Sequence, residues 1–514
     1  MTVAPSPSSP PTDSYTEVPY PRYSFPETHP ARIAAVAELF GVSAPQVQKA
    51  RILELGCAVG GNALALAAAL PQTEIVAIDK SKSQIESAKS LASKAKLTNV
   101  SFECIDIAAL SPSLGSFDYC IAHGLLSWIE PSLQPVLLRT IDSVLAPNGI
   151  AYVSFNTLPG WYSRRRIRDL MMFHARGERP AADALKRARE ILQITHDALT
   201  HTPSSQAKYL QEEIAFIQRQ SDGYLAHEYL EQENVPLYFS DFLRLLRDTK
   251  LRYLSDVALA TMWPSEFPPK AQGPLTSLAR SGAELEQYLD FIRNRSFRQS
   301  VLVKAPPTGT RIPTADALTD LYLGFPLWRM RTLDDGGTSF RDDTGVEMRV
   351  KEPHVAALLS LLAEHWPEHR TFRSIVEEGR RKELLKDHKV EELLMQCVMR
   401  GIVLPQQTAV SRGNSATRIQ ISSLAIEEAK LDGLVCNRLL HRFQLTPRMR
   451  AFFLLLEDAP SMQELERTLS QRIAGLSARY PELNTGLEEI ASASKELLPK
   501  GLEFLTRNAF LNNV

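Results

Sequence analysis

Glu54, Asp79 and Asp106 each stand at or just beyond the end of an apolar run, and the first two are separated by a glycine-rich turn and an alanine-rich stretch. The run Arg51-Ile-Leu-Glu-Leu leads into Gly-Cys-Ala-Val-Gly-Gly-Asn62. Ala63 to Leu70 are strong helix formers, and Thr73-Glu-Ile-Val-Ala-Ile-Asp79 is the next apolar run. Buried strand, glycine turn, helix and second strand make one half of a doubly wound parallel sheet. Gly56 and Gly60 permit a tight turn and close backbone approach to a ligand, and Asp79 ends a strand where an acid binds ribose hydroxyls. Glycines alone do not decide which nucleotide-like ligand is held.

Glu54 narrows the choice. It lies two residues before the first glycine, where a dinucleotide fingerprint has an apolar residue. A carboxylate there can receive an amino-acid ammonium, directly or through water, which favours S-adenosylmethionine (SAM) over NAD. The turn Glu-Leu-Gly-Cys-Ala-Val-Gly-Gly resembles motif I of class I SAM-dependent methyltransferases, with Ala58 in place of the usual middle glycine. Val100-Ser-Phe-Glu-Cys-Ile-Asp106-Ile107 reads as a third strand and its turn, where this resemblance implies an acid on the adenine amino group. The resemblance thus implies SAM contacts from Glu54, Gly56, Cys57, Ala58, Gly60, Asn62, Asp79, Lys80, Asp106 and Ile107.

Two further strands are expected, Ser116 to His123 and Leu145 to Asn156, the second entered through an Asn148-Gly149 turn. Between them Leu133, Val136, Leu137, Ile141 and Val144 recur at helical spacing. Five alternating units over about 105 residues give an α/β fold with a Rossmann-like parallel sheet, its crevice at the carboxyl ends of the strands.

Composition excludes several classes. The chain has 514 residues, a net charge of -1 and 44% hydrophobic residues, which lacks the basic surplus of a general nucleic-acid binder. Cys57, Cys104, Cys120, Cys397 and Cys436 show no CxxC spacing, so neither a zinc site nor a disulfide frame is expected. No apolar run approaches the roughly 20 residues that span a bilayer. The expectation is a cytoplasmic enzyme with no membrane, metal or nucleic-acid partner. His227-Glu228 lacks further metal ligands and reads as a structural histidine. Arg164-Arg165-Arg166 reads as a solvated helix face more readily than as a patch for an acidic partner.

Five segments are expected: a disordered tail over 1–13, a SAM-binding core with an N-terminal arm over 14–160, a helical regulatory or dimerisation and middle region over 161–310, and two winged-helix-like modules over 311–410 and 411–514. The arm carries Tyr15, Tyr20, Tyr23 and Phe25 among prolines. It either folds over the crevice as a lid or packs its rings on the sheet edge. Helices are expected over 30–40 and across 163–220, with breaks near 177–180 and 202–203. In the last third, helices at 353–366, 372–378 and 383–399 lead to a strand at 401–404. Helices at 447–456, 462–469 and 483–497 with a strand at 501–505 repeat the pattern. Residues 345–401 hold ten acids and ten bases, so these modules suit protein contact better than phosphates.

Tyr20 to Pro30, Glu54 to Asn62, Tyr152 to Trp161, Tyr224 to Phe242 and Glu286 to Arg298 together resemble class I methyltransferases with an appended methyltransferase regulatory domain, of which the rickettsial outer-membrane-protein lysine methyltransferases are members. The resemblance implies a homodimer, methyl transfer from SAM and, as acceptor, a protein lysine. A small-molecule acceptor, or SAM binding without turnover, stay open as alternatives. A lysine must attack as the neutral amine, and at pH 7 its deprotonation costs roughly 4 to 5 kcal/mol. An apolar aromatic pocket offsets part of that cost by desolvating the ammonium. Candidate lining residues are Tyr20, Tyr23, His123, Trp128, Asn156, Trp161 and Tyr162. Tyr20 and Asn156 are candidate positioning groups; His123 is a candidate proton acceptor or a hydrogen-bonded histidine at a strand end.

Overall fold

Arg51–Leu55 (β1) buries Ile52, Leu53 and Leu55 completely, because both faces of the strand are covered. Each such side chain contributes about 1.5–3 kcal/mol by leaving water. The structure, a computed structural model, describes residues 18, 20–110, 114–178, 181–306, 312–382, 389–413, 419–458 and 461–511. The expected tail over 1–13 lies outside the described residues.

β1 pairs in parallel with Glu74–Asp79 (β2) on one side, and β2 with Val100–Cys104 (β3). On the other side β1 pairs with Phe117–Ala122 (β4), and β4 with Leu145–Asn156 (β5). The order reverses between β1 and β4, so the helices leave on opposite faces and a crevice opens at the carboxyl ends of these two strands.

The sheet does not end at β5. Arg252–Asp256 (β6) and Phe297–Val303 (β7) complete a seven-stranded sheet in the order β3-β2-β1-β4-β5-β7-β6, with β7 antiparallel to both neighbours. The region over 161–310, expected as a helical regulatory or dimerisation and middle region, supplies two strands of the core sheet. Their anchor is Arg298, fully buried on β7. Its guanidinium grips Asp290 through Nε (2.7 Å) and Nη2 (2.9 Å), reaches Glu286 at 3.1 Å, and lies 3.6 Å over the Phe239 ring.

Between β5 and β6 run the helices Trp161–Ala175, Ala181–Thr200 and Ser205–Gln218, in agreement with the expected helical stretch and its breaks. The last third holds the helices Pro353–His365, Phe372–Arg381 and Val390–Met399, followed by a strand Leu404–Gln406. The expected start of the third helix at 383 lies outside the described residues.

The second expected repeat departs from its pattern. Met462–Arg479 is longer than expected, the next helix breaks at Ala493, and residues 501–505 belong to the helix Ser494–Arg507 instead of a strand. The reason is packing: a Cβ on Gly501 would lie 2.6 Å from the Phe452 ring. This glycine admits a close helix neighbour where the sequence suggested a turn. Among the described residues no helix is long and apolar enough to cross a membrane.

Candidate active site

The turn after β1 is fixed by β2. Backbone N–H groups of Gly56 and Cys57 both donate to the Ile78 carbonyl, at 2.9 and 3.0 Å. Gly56 and Gly60 take positive φ values of 74° and 77°, and Ala58 enters the same region at 49°. Ala58 is held there because its N–H donates to Asp79 Oδ2 at 2.9 Å. Gly60 lies under the turn, where a Cβ would strike Phe102 and Ala88 at 2.7 and 2.8 Å. The other nine residues expected to contact SAM line one cavity of about 640 Å³, together with Tyr20, His123 and Asn156.

Glu54 is buried at the end of β1. One carboxylate oxygen, Oε1, accepts from Asn62 Nδ2 at 3.1 Å, and Oε2 has no hydrogen-bond partner among the described residues. Burial pushes its carboxyl up to about 8; nearby Asp79 adds to this, and the Asn62 bond opposes it. Asn62 passes the connection onward, since its Oδ1 accepts from Phe25 N and Thr28 Oγ1, each at 3.0 Å. Asp79 Oδ1 accepts from Ser81 N at 2.9 Å, and Asp106 Oδ1 caps a short turn by accepting from Ala108 N at 2.8 Å. Glu54 Oε2 keeps its lone pairs for a further donor.

The arm crosses directly over this turn. A Cβ on Gly61 would meet the backbone of Tyr23 and Arg22 at 2.7 to 2.8 Å, so the glycine is what lets the arm lie so close. Tyr20, Pro21, Tyr23 and Phe25 form part of the cavity wall, which is the lid placement. The arm's outer face is held by the last module. Arg22 pairs with Glu428 at 3.3 Å and Asp432 at 2.8 Å, Ser24 Oγ donates to the Leu440 carbonyl at 3.0 Å, and the Arg442 guanidinium lies 3.8 Å over the Tyr23 ring. Arg442 itself reaches the cavity wall from a short strand, Arg442–Gln444.

At the β4 and β5 end, His123 stacks on Phe25 with centroids 3.6 Å apart, and its Nδ1 meets the Tyr152 hydroxyl at 3.0 Å. Burial, reinforced by Arg442, pushes this imidazole down to about 3. It is neutral at any physiological pH and a weak base, which gives it the surroundings of the hydrogen-bonded histidine. Asn156 donates from Nδ2 to Asn234 Oδ1 at 3.3 Å, and its backbone N–H donates to Ser127 Oγ at 2.9 Å. Trp128 and Trp161 line the cavity edge to face, 6.4 Å apart. Tyr162 is exposed and hydrogen-bonds Tyr238 instead. Arg164 also reaches the cavity and pairs with Glu213 at 3.3 Å, so one member of the expected solvated arginine run is partly buried.

Sequence reasoning missed Phe25 as the partner of His123, the bridging role of Asn62, and Arg442. It passed over Glu228, which lines the cavity on a π-helical turn, Ala226–Leu230. The adjacent His227 is structural: its Nε2 meets the Val18 carbonyl at 2.6 Å and its Nδ1 meets Glu231 at 3.1 Å.

A crevice at the β1/β4 reversal, a glycine turn and a buried acid at the end of β1 define the class: a SAM-dependent methyltransferase with a Rossmann-like sheet. Comparison with known proteins gives the same answer. Residues 52–149 match the family described as "Methyltransferase domain", and residues 221–304 match "Predicted methyltransferase regulatory domain". Uncharacterized protein RP789 of Rickettsia prowazekii is 31% identical over 444 residues, which is 85% of this chain and 78% of that protein. PKMT2 from Rickettsia typhi, solved in complex with AdoHcy, superposes with a TM-score of 0.81 at 26% identity, covering 96% of this chain and 100% of that one. A trans-aconitate 2-methyltransferase of Variovorax paradoxus is 30% identical over 131 residues, 26% of this chain and 46% of that protein. The chain belongs to the class I SAM-dependent methyltransferases that carry a methyltransferase regulatory domain.

Proposed function

We propose that this enzyme methylates a lysine amine of a protein, with its cofactor held by the residues around the β1 turn. The orphaned Oε2 of Glu54 suits the ammonium of SAM, and Asp79 and Asp106, carboxylates on the same cavity wall at the end of β2 and just beyond β3, suit its ribose hydroxyls and its adenine amino group. SAM supplies an electrophilic methyl group on a sulfonium, and transfer needs an acceptor held in line with it.

One observation carries the acceptor reading. The cavity lined by the cofactor residues is also lined by the rings of Tyr20, Trp128, Trp161, Tyr224 and Phe297. Such a lining disfavours a charged ammonium by desolvation, while the ring faces stabilise the positive charge that develops on nitrogen during attack. Asn156, whose side-chain amide is oriented by Asn234, is the positioning amide on this lining. The designation of the Rickettsia typhi neighbour, PKMT2, is that of a protein-lysine methyltransferase, which supports the same acceptor.

The test is to incubate the pure chain with methyl-labelled SAM and a cell extract, separate protein from small molecules, and hydrolyse the protein fraction. Label recovered as N-methylated lysine is expected. Label confined to small molecules would assign a small-molecule acceptor, and label in neither fraction would remove turnover altogether.

A further inference from the structure

Glu228 is a half-buried carboxylate that opens onto the cavity. It lines the cavity on the π-helical turn Ala226–Leu230, and among the described residues it has neither a hydrogen-bond nor an ion-pair partner. The side chain is half-buried and its oxygens stay accessible from the cavity, and a carboxylate in a cleft without a hydrogen-bond partner is a site where a ligand can complete it. A π turn inserts one residue into the helical ladder and re-aims side chains, and it recurs at functional sites. Here the turn is pinned from both sides, because His227 is tied to the arm at Val18 and to Glu231.

Of the groups facing Glu228, Arg164 answers its charge only in part. The Arg164 guanidinium lies near but is engaged by Glu213 at 3.3 Å. Tyr224 and Tyr229 surround it on its own segment, and both phenols are pushed up by burial and remain neutral. Glu233 and Arg442 line the same cavity, and the Arg442 guanidinium is stacked on Tyr23. The place offered is therefore one for a cation that enters from the cavity. Burial pushes the Glu228 carboxyl up to about 7, with Arg164 opposing, which makes it an acceptable proton acceptor near neutrality.

We infer that Glu228 is the acceptor-side carboxylate, which receives the ammonium of the incoming amine and takes the proton that must leave before nitrogen can attack. This rests on the amine reading of the acceptor. In the step, one N–H bond of the ammonium breaks and one O–H bond forms on Glu228. The pair ammonium plus carboxylate becomes amine plus carboxylic acid, with charge conserved and the nitrogen lone pair freed. Water takes the proton from Glu228 before the next turnover.

The test uses the full chain with methyl-labelled SAM and cell-extract protein as acceptor, read as methyl-lysine from pH 6 to pH 10, with AdoHcy affinity measured alongside. The wild type should rise through a pH near 7 and level off. Glu228→Gln should lose about 100-fold at pH 7. It should keep the AdoHcy affinity within about twofold, and it should recover progressively toward pH 10 as lysine deprotonates in solution. Glu228→Asp should retain the acid limb at reduced rate. A Gln variant with the wild-type rate and profile would overturn the inference. So would a variant that stays dead at pH 10 or loses AdoHcy binding, since either marks a structural role. Wild-type label on an atom other than lysine nitrogen would instead defeat the amine reading, and it is seen without any variant.

Discussion

Glu54, proposed as the partner of the cofactor ammonium, should make cofactor binding depend on pH, and the size of the effect follows from its surroundings. In the free protein the carboxyl is pushed up to about 8 by burial, so a ligand ammonium must draw off its proton to be met by a carboxylate. With that value the ionised fraction is about 1% at pH 6 and about one half at pH 8. AdoHcy binding should therefore weaken about 50-fold between pH 8 and pH 6, with close to one proton released per ligand at the lower pH. Glu54→Gln cannot ionise and should bind with no such slope. At pH 8 it should be weaker than the wild type by the loss of a charge-assisted hydrogen bond, about 1.5–3 kcal/mol.

The linkage to folding has the opposite sense from an ion-paired acid. Because the folded value lies above the unfolded one, the ligand-free chain's stability from this group is fully present below about pH 4.5 and lost as pH rises through about 8. Glu54→Gln should therefore raise the ligand-free melting temperature at pH 8, and not at pH 5. Isothermal calorimetry in two buffers of different ionisation enthalpy reads both affinity and proton count. A wild-type affinity flat from pH 6 to pH 8, or a Gln variant with the wild-type slope, would refute the reasoning.

Arg298→Met should destabilise the chain by about 3–5 kcal/mol in urea unfolding, because it leaves Asp290 and Glu286 buried without their cation; a change below about 1 kcal/mol would show that the cluster does not anchor β7. Gly61→Ala places a Cβ against the arm backbone at 2.7 Å, so the arm should lift. Tryptic cleavage after Arg22 should then accelerate at least about tenfold, with weaker AdoHcy binding; an unchanged cleavage rate would mean that the arm does not rest on this turn.

Much of the site was legible locally. The glycine turn needs φ above zero at Gly56 and Gly60, the apolar runs need burial on both faces, and an acid at a strand end needs a reason to be there. Each of these is a requirement of the chain on itself over a few residues. The breaks between the helices of 161–218 were legible for the same reason, since Gly177, Pro180 and Pro203 act on their own neighbourhood. The strand expected at 501–505 failed because Gly501 answers to Phe452, nearly fifty positions away, and not to a turn. The place of Glu228 on the cavity was not legible, because a His-Glu pair carries no mark of the π turn that sends His227 to the arm and Glu228 to the cavity.

The order of strands and helices through β5, and the acids that close β1 and β2, were determined by the sequence alone, because periodicity and turn chemistry are short-range. Tertiary structure alone decided that β6 and β7 extend the sheet, that Arg22 meets Glu428, and that Arg442 joins a cavity begun at residue 54. Those contacts depend on which surfaces exclude water together once the elements exist, and no local pattern in the chain encodes that choice.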